Sequence, residues 1–110
     1  MQLPEIVTAL IDGEWVKRPA GFTTIDPYRG TVVAEVPDCD PETVALAIGA
    51  AQRAARQIAQ TPTRERAALL KRMAASVRAQ SSDIANMMCL ETGKPITDCT
   101  TEVLRSADTL

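Results

Sequence analysis

Short β-branched runs separated by turn residues fill the first 37 positions of the chain, and from residue 40 onward apolar positions recur every three or four residues. Ala9-Leu10-Ile11 and Glu14-Trp15-Val16 flank Asp12-Gly13. That dipeptide accepts the positive φ angles of a two-residue hairpin turn, so the spacing predicts a first hairpin. A second is predicted from residues 22–26 and 31–36, joined by Pro27-Tyr28-Arg29-Gly30. There proline presets φ and glycine accepts a left-handed backbone. Thr, Val and Ile dominate these runs, as half-buried pleated strands prefer.

The helical part opens at Asp40-Pro41-Glu42, with an Asp cap, proline at the first helical position and an acid in the first turn. Val44, Ile48, Ala51, Ala55 and Ile58 then form one apolar stripe. Thr61-Pro62-Thr63 breaks that helix and supplies a start for the next, whose buried face is read as Leu70, Met73 and Val77. Ser81-Ser82-Asp83 punctuates again. A third helix carries Ile84, Met87 and Met88 and stops at Thr92-Gly93, with Gly93 as its cap. Pro95 is expected in the first turn of a fourth helix with a stripe of Ile96, Cys99, Val103, Ala107 and Leu110. That stripe is still amphipathic at Leu110, with no stop signal, and we therefore expect a truncated piece of a longer chain. The fold class expected is α/β, with N-terminal β-hairpins (1–37) followed by four amphipathic helices (40–110).

Composition narrows the chemistry. Only Trp15, Phe22 and Tyr28 are aromatic, so Ala and Leu supply most of the packing, as close-packed helices allow. A net charge of -2 argues against a nucleic-acid partner. Residues 51–80 nevertheless hold seven of the twelve basic residues against one acid, Glu65. We read this as the solvated face of two helices, the alternative being a surface for an anionic partner. There is no histidine, and the three cysteines, Cys39, Cys89 and Cys99, form no CxxC pair. This argues against a tetrahedral zinc site and against a disulfide framework, and points to a reducing cytoplasm. No apolar run is long enough for a membrane span and no signal-peptide pattern opens the sequence.

No cysteine has a histidine to act as its base, which removes a Cys–His nucleophile. Cys39 lies between Asp38 and Asp40, the wrong neighbours for a reactive thiolate, and Cys99 falls on an apolar stripe. A structural role is expected for all three. Neither GxGxxG nor GxxxxGK[ST] occurs, so no phosphate cradle is expected. Gly93-Lys94 follows a helix rather than preceding one and reads as a helix C-cap. Glu91, at a helix end beside a sharp turn, is the carboxylate of most interest. It is either a surface acid anchoring the turn or one ligand of a hard cation.

The run Leu90-Glu91-Thr92-Gly93-Lys94-Pro95, followed by Glu102-Val103, resembles the N-terminal region of the aldehyde dehydrogenase superfamily. The segment Ile11-Asp12-Gly13-Glu14-Trp15-Val16 is similar to that family's opening hairpin, and Ile25-Asp26-Pro27 with Gly30 to its second turn. Residues 47–55, and Arg64-Glu65-Arg66 leading to Leu69-Leu70, resemble its first two helices. One departure is that many relatives carry an aromatic residue before the second helix, where Ile58-Ala59-Gln60 holds none.

The resemblance implies that residues 1–110 are part of a cofactor-binding domain, in an enzyme that oxidises an aldehyde to an acid with NAD or NADP through a cysteine thiolate. The nucleophile, base and cofactor loop of that chemistry match nothing here, so the expectation for this chain alone is no activity and no cofactor. An aldehyde is its substrate only if the remainder is present. In some relatives a monovalent cation is held by the acid before Thr-Gly-Lys and by two main-chain carbonyls before an Asp/Asn-Pro. The matching positions are Glu91, Thr24 and Ile25. The alternative is a small non-catalytic interaction protein that self-associates or pairs with a full-length relative.

Overall fold

The computed structural model describes residues 8–110. Strands β1 (Ala9–Ile11) and β2 (Glu14–Val16) pair antiparallel, with Ala9 opposite Val16, Leu10 opposite Trp15 and Ile11 opposite Glu14. Asp12 and Gly13 turn the chain at φ 55° and 82°, the left-handed values a two-residue hairpin requires. Strands β3 (Ala20–Ile25) and β4 (Val32–Pro37) make a second two-stranded sheet. Both hairpin sheets lie where the turn residues predict them.

Four helices follow: α1 (Pro41–Gln60), α2 (Thr63–Ala79), α3 (Ser81–Thr92) and α4 (Ile96–Thr109). The Asp40 carboxylate accepts from the Thr43 amide at 2.7 Å and Pro41 opens α1, so the predicted cap forms. At the other end the Thr61 amide donates back to the Ile58 carbonyl at 3.1 Å. Pro62 stands at the head of α2, where its carbonyl accepts from Glu65 and Arg66. Pro95 takes the equivalent place before α4, accepting from Asp98 and Cys99. It lies one residue outside the helix rather than in its first turn. Between α2 and α3 only Gln80 intervenes, and its amide donates to the Ser76 carbonyl at 3.1 Å. No serine or aspartate side chain caps α3.

The fold divides into two compact units that interleave in sequence. One combines residues 25–31 with 62–110, and the other takes in the described residues before 25 together with 32–61. In the first, α4 packs against both α2 and α3. Its core is Ala85, Cys99 and Val103, with Val77, Met88 and Cys89 packed against it and Ala107 also buried. Burial of Val103 contributes about 2 kcal/mol by area. The centre of the α4 stripe thus lies inside as its period predicts, while its ends, Ile96 and Leu110, are exposed.

Elsewhere the stripes are corrected. On α2, Leu70 and Met73 are exposed and only Val77 reaches the core. On α3 the buried residue is Ala85, not Ile84. In the second unit α1 buries Thr43 and Ala50, leaving Val44, Ile48 and Ile58 about half exposed. Small residues are buried where backbones approach closely, and a periodic stripe identifies a helix face without identifying what covers it.

Candidate functional site

The run Glu91-Thr92-Gly93-Lys94-Pro95 joins α3 to α4, and most of its side chains are committed to that junction. Gly93 adopts φ 70° and its amide donates to the Cys89 carbonyl at 2.9 Å, closing α3 in a left-handed cap. The Thr92 hydroxyl donates to the Met88 carbonyl at 2.6 Å and accepts from the Lys94 amide at 3.3 Å. Lys94 reaches over the first turns of α4, its ammonium donating to both oxygens of Glu102 at 2.8 and 3.1 Å. This contact raises the Lys94 pKa.

A second turn packs on the first. A Cβ built on Gly93 would come within 2.8 Å of Pro27 Cγ, so any larger residue there would collide with the 26–31 turn as well as strain the backbone. Asp26, buried at 3% exposure, organises that turn. Its carboxylate accepts from the Tyr28 and Arg29 amides at 2.8 and 3.1 Å and from the Arg29 guanidinium at 2.8 Å. Its own amide donates to the Thr31 carbonyl, and its carbonyl accepts from Gly30. The Arg29 guanidinium, followed by the Tyr28 amide, holds this carboxyl below the usual aspartate value. The sequence reading gave Asp26 no such part, although Asp-Pro followed by glycine is a sequence signal for a side-chain-closed turn.

Among the three residues suggested for a cation, Thr24 lies within β3, half-buried, with its hydroxyl donating to the Ala34 carbonyl at 3.4 Å. Ile25 ends β3 and is exposed. Glu91 lies in the last turn of α3, exposed, with no hydrogen bond or ion pair to any described residue. Ile25 and Glu91 belong to one compact unit and Thr24 to the other. Glu91 also lines an open apolar hollow of about 600 Å³ on α3, with Asp83, Ile84, Met87 and Met88. Sequence reasoning did not single out this hollow.

The thiols are all free. Cys99 is fully buried, and burial followed by the nearby Cys89 pushes its pKa up, which suits a packing role. Among the described residues no helix begins at a glycine-rich loop. The residues preceding α1, α2, α3 and α4 are Asp40, Pro62, Gln80 and Pro95. The carboxylate already at the start of α1 is the reverse of what a dinucleotide pyrophosphate needs. No helix among the described residues is long and apolar enough to cross a membrane.

Comparison with known proteins places this arrangement. The model of the aldehyde dehydrogenase family matches residues 15–110. The NADP-dependent glyceraldehyde-3-phosphate dehydrogenase of Apium graveolens is 36% identical over 99 residues, which is 88% of this chain and 20% of that protein. Betaine aldehyde dehydrogenase of Sinorhizobium fredii is 38% identical over 78% of this chain and 18% of its own length. Among solved structures, lactaldehyde dehydrogenase from Escherichia coli superposes with a TM-score of 0.89 at 28% identity, covering 94% of this chain and 22% of that one. The chain spans about a fifth of the length of the curated relatives it matches. With the fold, the Glu-Thr-Gly-Lys-Pro junction and these likenesses in agreement, the chain belongs to the aldehyde dehydrogenase family.

Proposed function

We propose that these residues serve as the N-terminal part of an enzyme that oxidises an aldehyde to a carboxylic acid with NAD or NADP. The observation that carries this is the family match over residues 15–110, supported by the likeness in fold. The part played by this chain is architectural: α2, α3 and α4 pack together, and the 26–31 turn seats on the α3 cap. By itself it turns over no aldehyde, because its thiols have no base and its helices offer no dinucleotide cradle. Two assays test this. The purified chain with NAD or NADP and a panel of small aldehydes should yield no reduced nicotinamide; clear turnover would overturn the inactivity. Exchanging this chain for the matching fifth of lactaldehyde dehydrogenase should leave an active enzyme, and a well-folded but inactive chimera would overturn the architectural role.

Glu91, with the carbonyls of Thr24 and Ile25, is proposed to contribute to a site for a monovalent cation, in keeping with a hard-oxygen donor set. A rise in the melting temperature of the active chimera with sodium or potassium over a bulky organic cation, lost in Glu91→Gln, supports it. Equal melting in all salts removes it. The free thiols suit a reducing cytoplasm.

A second reading is favoured by one observation, the large apolar side chains left exposed, among them Trp15 at 69% and Ile48 at 55%. On this reading the chain is a non-catalytic partner of itself or of a full-length relative. Concentration-dependent assembly with a cooperative melt supports it, and a monomer at all concentrations, alone or mixed with a relative, removes it.

A further inference from the structure

The α3–α4 hairpin holds two thiols at matching levels. Lys94 is the middle of the three-residue junction between the helices, and Cys89 and Cys99 each stand five positions from it, one on either arm. Residues equally far from the bend of two helices joined by a short loop stand at about the same level along the pair. Both cysteines point into the same cluster: Cys99 belongs to the core with Ala85 and Val103, and Cys89 packs against that core. Ala85 stands one turn before Cys89 on α3 and is fully buried in the same cluster. Cys99 is fully buried while Cys89 is half-buried, and both are free. Cys39 belongs to the other compact unit.

We propose that Cys89 and Cys99 are a redox-responsive pair that closes into an intrachain disulfide when a low-molecular-weight disulfide is present. Cys89, the accessible thiol, loses its proton and attacks one sulfur of the reagent, forming a mixed disulfide and releasing one thiol. The Cys99 thiolate then attacks the Cys89 sulfur and expels the second. Two protein thiols are oxidised to one disulfide and the reagent disulfide is reduced to two thiols, so electrons and protons balance. The second step needs the Cys99 thiolate, which burial, Cys89, Glu102 and Asp98 disfavour and Lys94 favours, so closure accelerates as pH rises. The product staples α3 to α4 across the Gly93–Pro95 junction and resists separation of the two helices.

The full chain incubated with oxidised glutathione, then alkylated and mapped by mass spectrometry, tests this. The expected result is an intact mass lower by about 2 Da before alkylation, a linked pair of peptides carrying Cys89 and Cys99, and an alkylated Cys39. Dithiothreitol should reverse the change. Cys99→Ser should stop at glutathione attached to Cys89, and Cys89→Ser, a milder change at a half-buried position, should leave Cys99 unmodified. A wild-type chain that stops at glutathionylated Cys89 at every pH, or that pairs Cys39 instead, overturns the proposal.

Discussion

Helices α1 and α4 carry apolar stripes of the same period, yet α4 buries the middle of its stripe and α1 does not. Cys99, Val103 and Ala107 are at most 4% exposed, whereas Val44, Ile48 and Ile58 are 46% to 55% exposed. The difference lies in the neighbours. Two helices pack on α4, whereas α1 meets the short strand β1 in its own unit. The same periodic signal therefore marks a core in one helix and an open face in the other.

Substitutions with a charge should separate the two helices most sharply. Val103→Asp places an unpaired carboxylate among Ala85 and Cys99 and should destabilise the α4 unit by about 4 kcal/mol, enough to abolish its urea transition. Ile48→Asp, at an exposed position of α1, should change stability by no more than about 0.5 kcal/mol. Equal damage from both would mean that the α1 face is covered after all.

Glycine caps offer the next contrast. Gly93→Ala combines left-handed strain with collision against Pro27 and should cost about 2 to 3 kcal/mol, whereas Gly13→Ala, at φ 82° with open space around it, should cost only about 1 kcal/mol. Chemical denaturation of both variants measures the gap. Smaller still is Arg78→Met, which removes an exposed ion pair with Asp108 and should cost about 0.5 kcal/mol, read as a small shift in midpoint that vanishes in high salt.

The final contrast concerns pH. Asp26 is more acidic folded than unfolded because Arg29 and two amides favour its charged form. Its contribution is therefore fully present above the unfolded aspartate value, near 3.8, and fades as pH falls through the lower folded value. Urea midpoints of the native chain should decline across that acidic window. Asp26→Asn should be less stable at neutral pH and lose less on acidification, and parallel curves would remove Asp26 as a source of the decline.

Much of this architecture is legible in the chain because its punctuation is local. Asp12-Gly13, Asp40-Pro41 and Gly93 act through their own backbone angles and nearest amides, so a reader needs only a few residues to place them. The burial of Ala85 in place of Ile84, or of Thr43 and Ala50 in place of Val44 and Ile48, depends on partners distant in sequence. Propensity and periodicity hold no record of those partners. Glu91 was recognisable by its motif, and the structure places it exposed in the last turn of α3. Asp26 was passed over because its value lies in a turn closed by its own side chain and then seated on a helix end far along the chain.

That seating also constrains how the molecule is built. Pro27 emerges from the ribosome long before Gly93 exists to receive it, and the residues between include most of the other compact unit. The ends of a long loop must meet before the turn gains its platform, a late and entropically costly step in assembly. A single cut before Pro62 keeps the second unit whole, with residues 25–31 still inserted in it, but divides the first. The remaining three-helix piece lacks the turn that belongs on its cap, and because segments of the two units alternate along the chain, relocating the termini would not disentangle them.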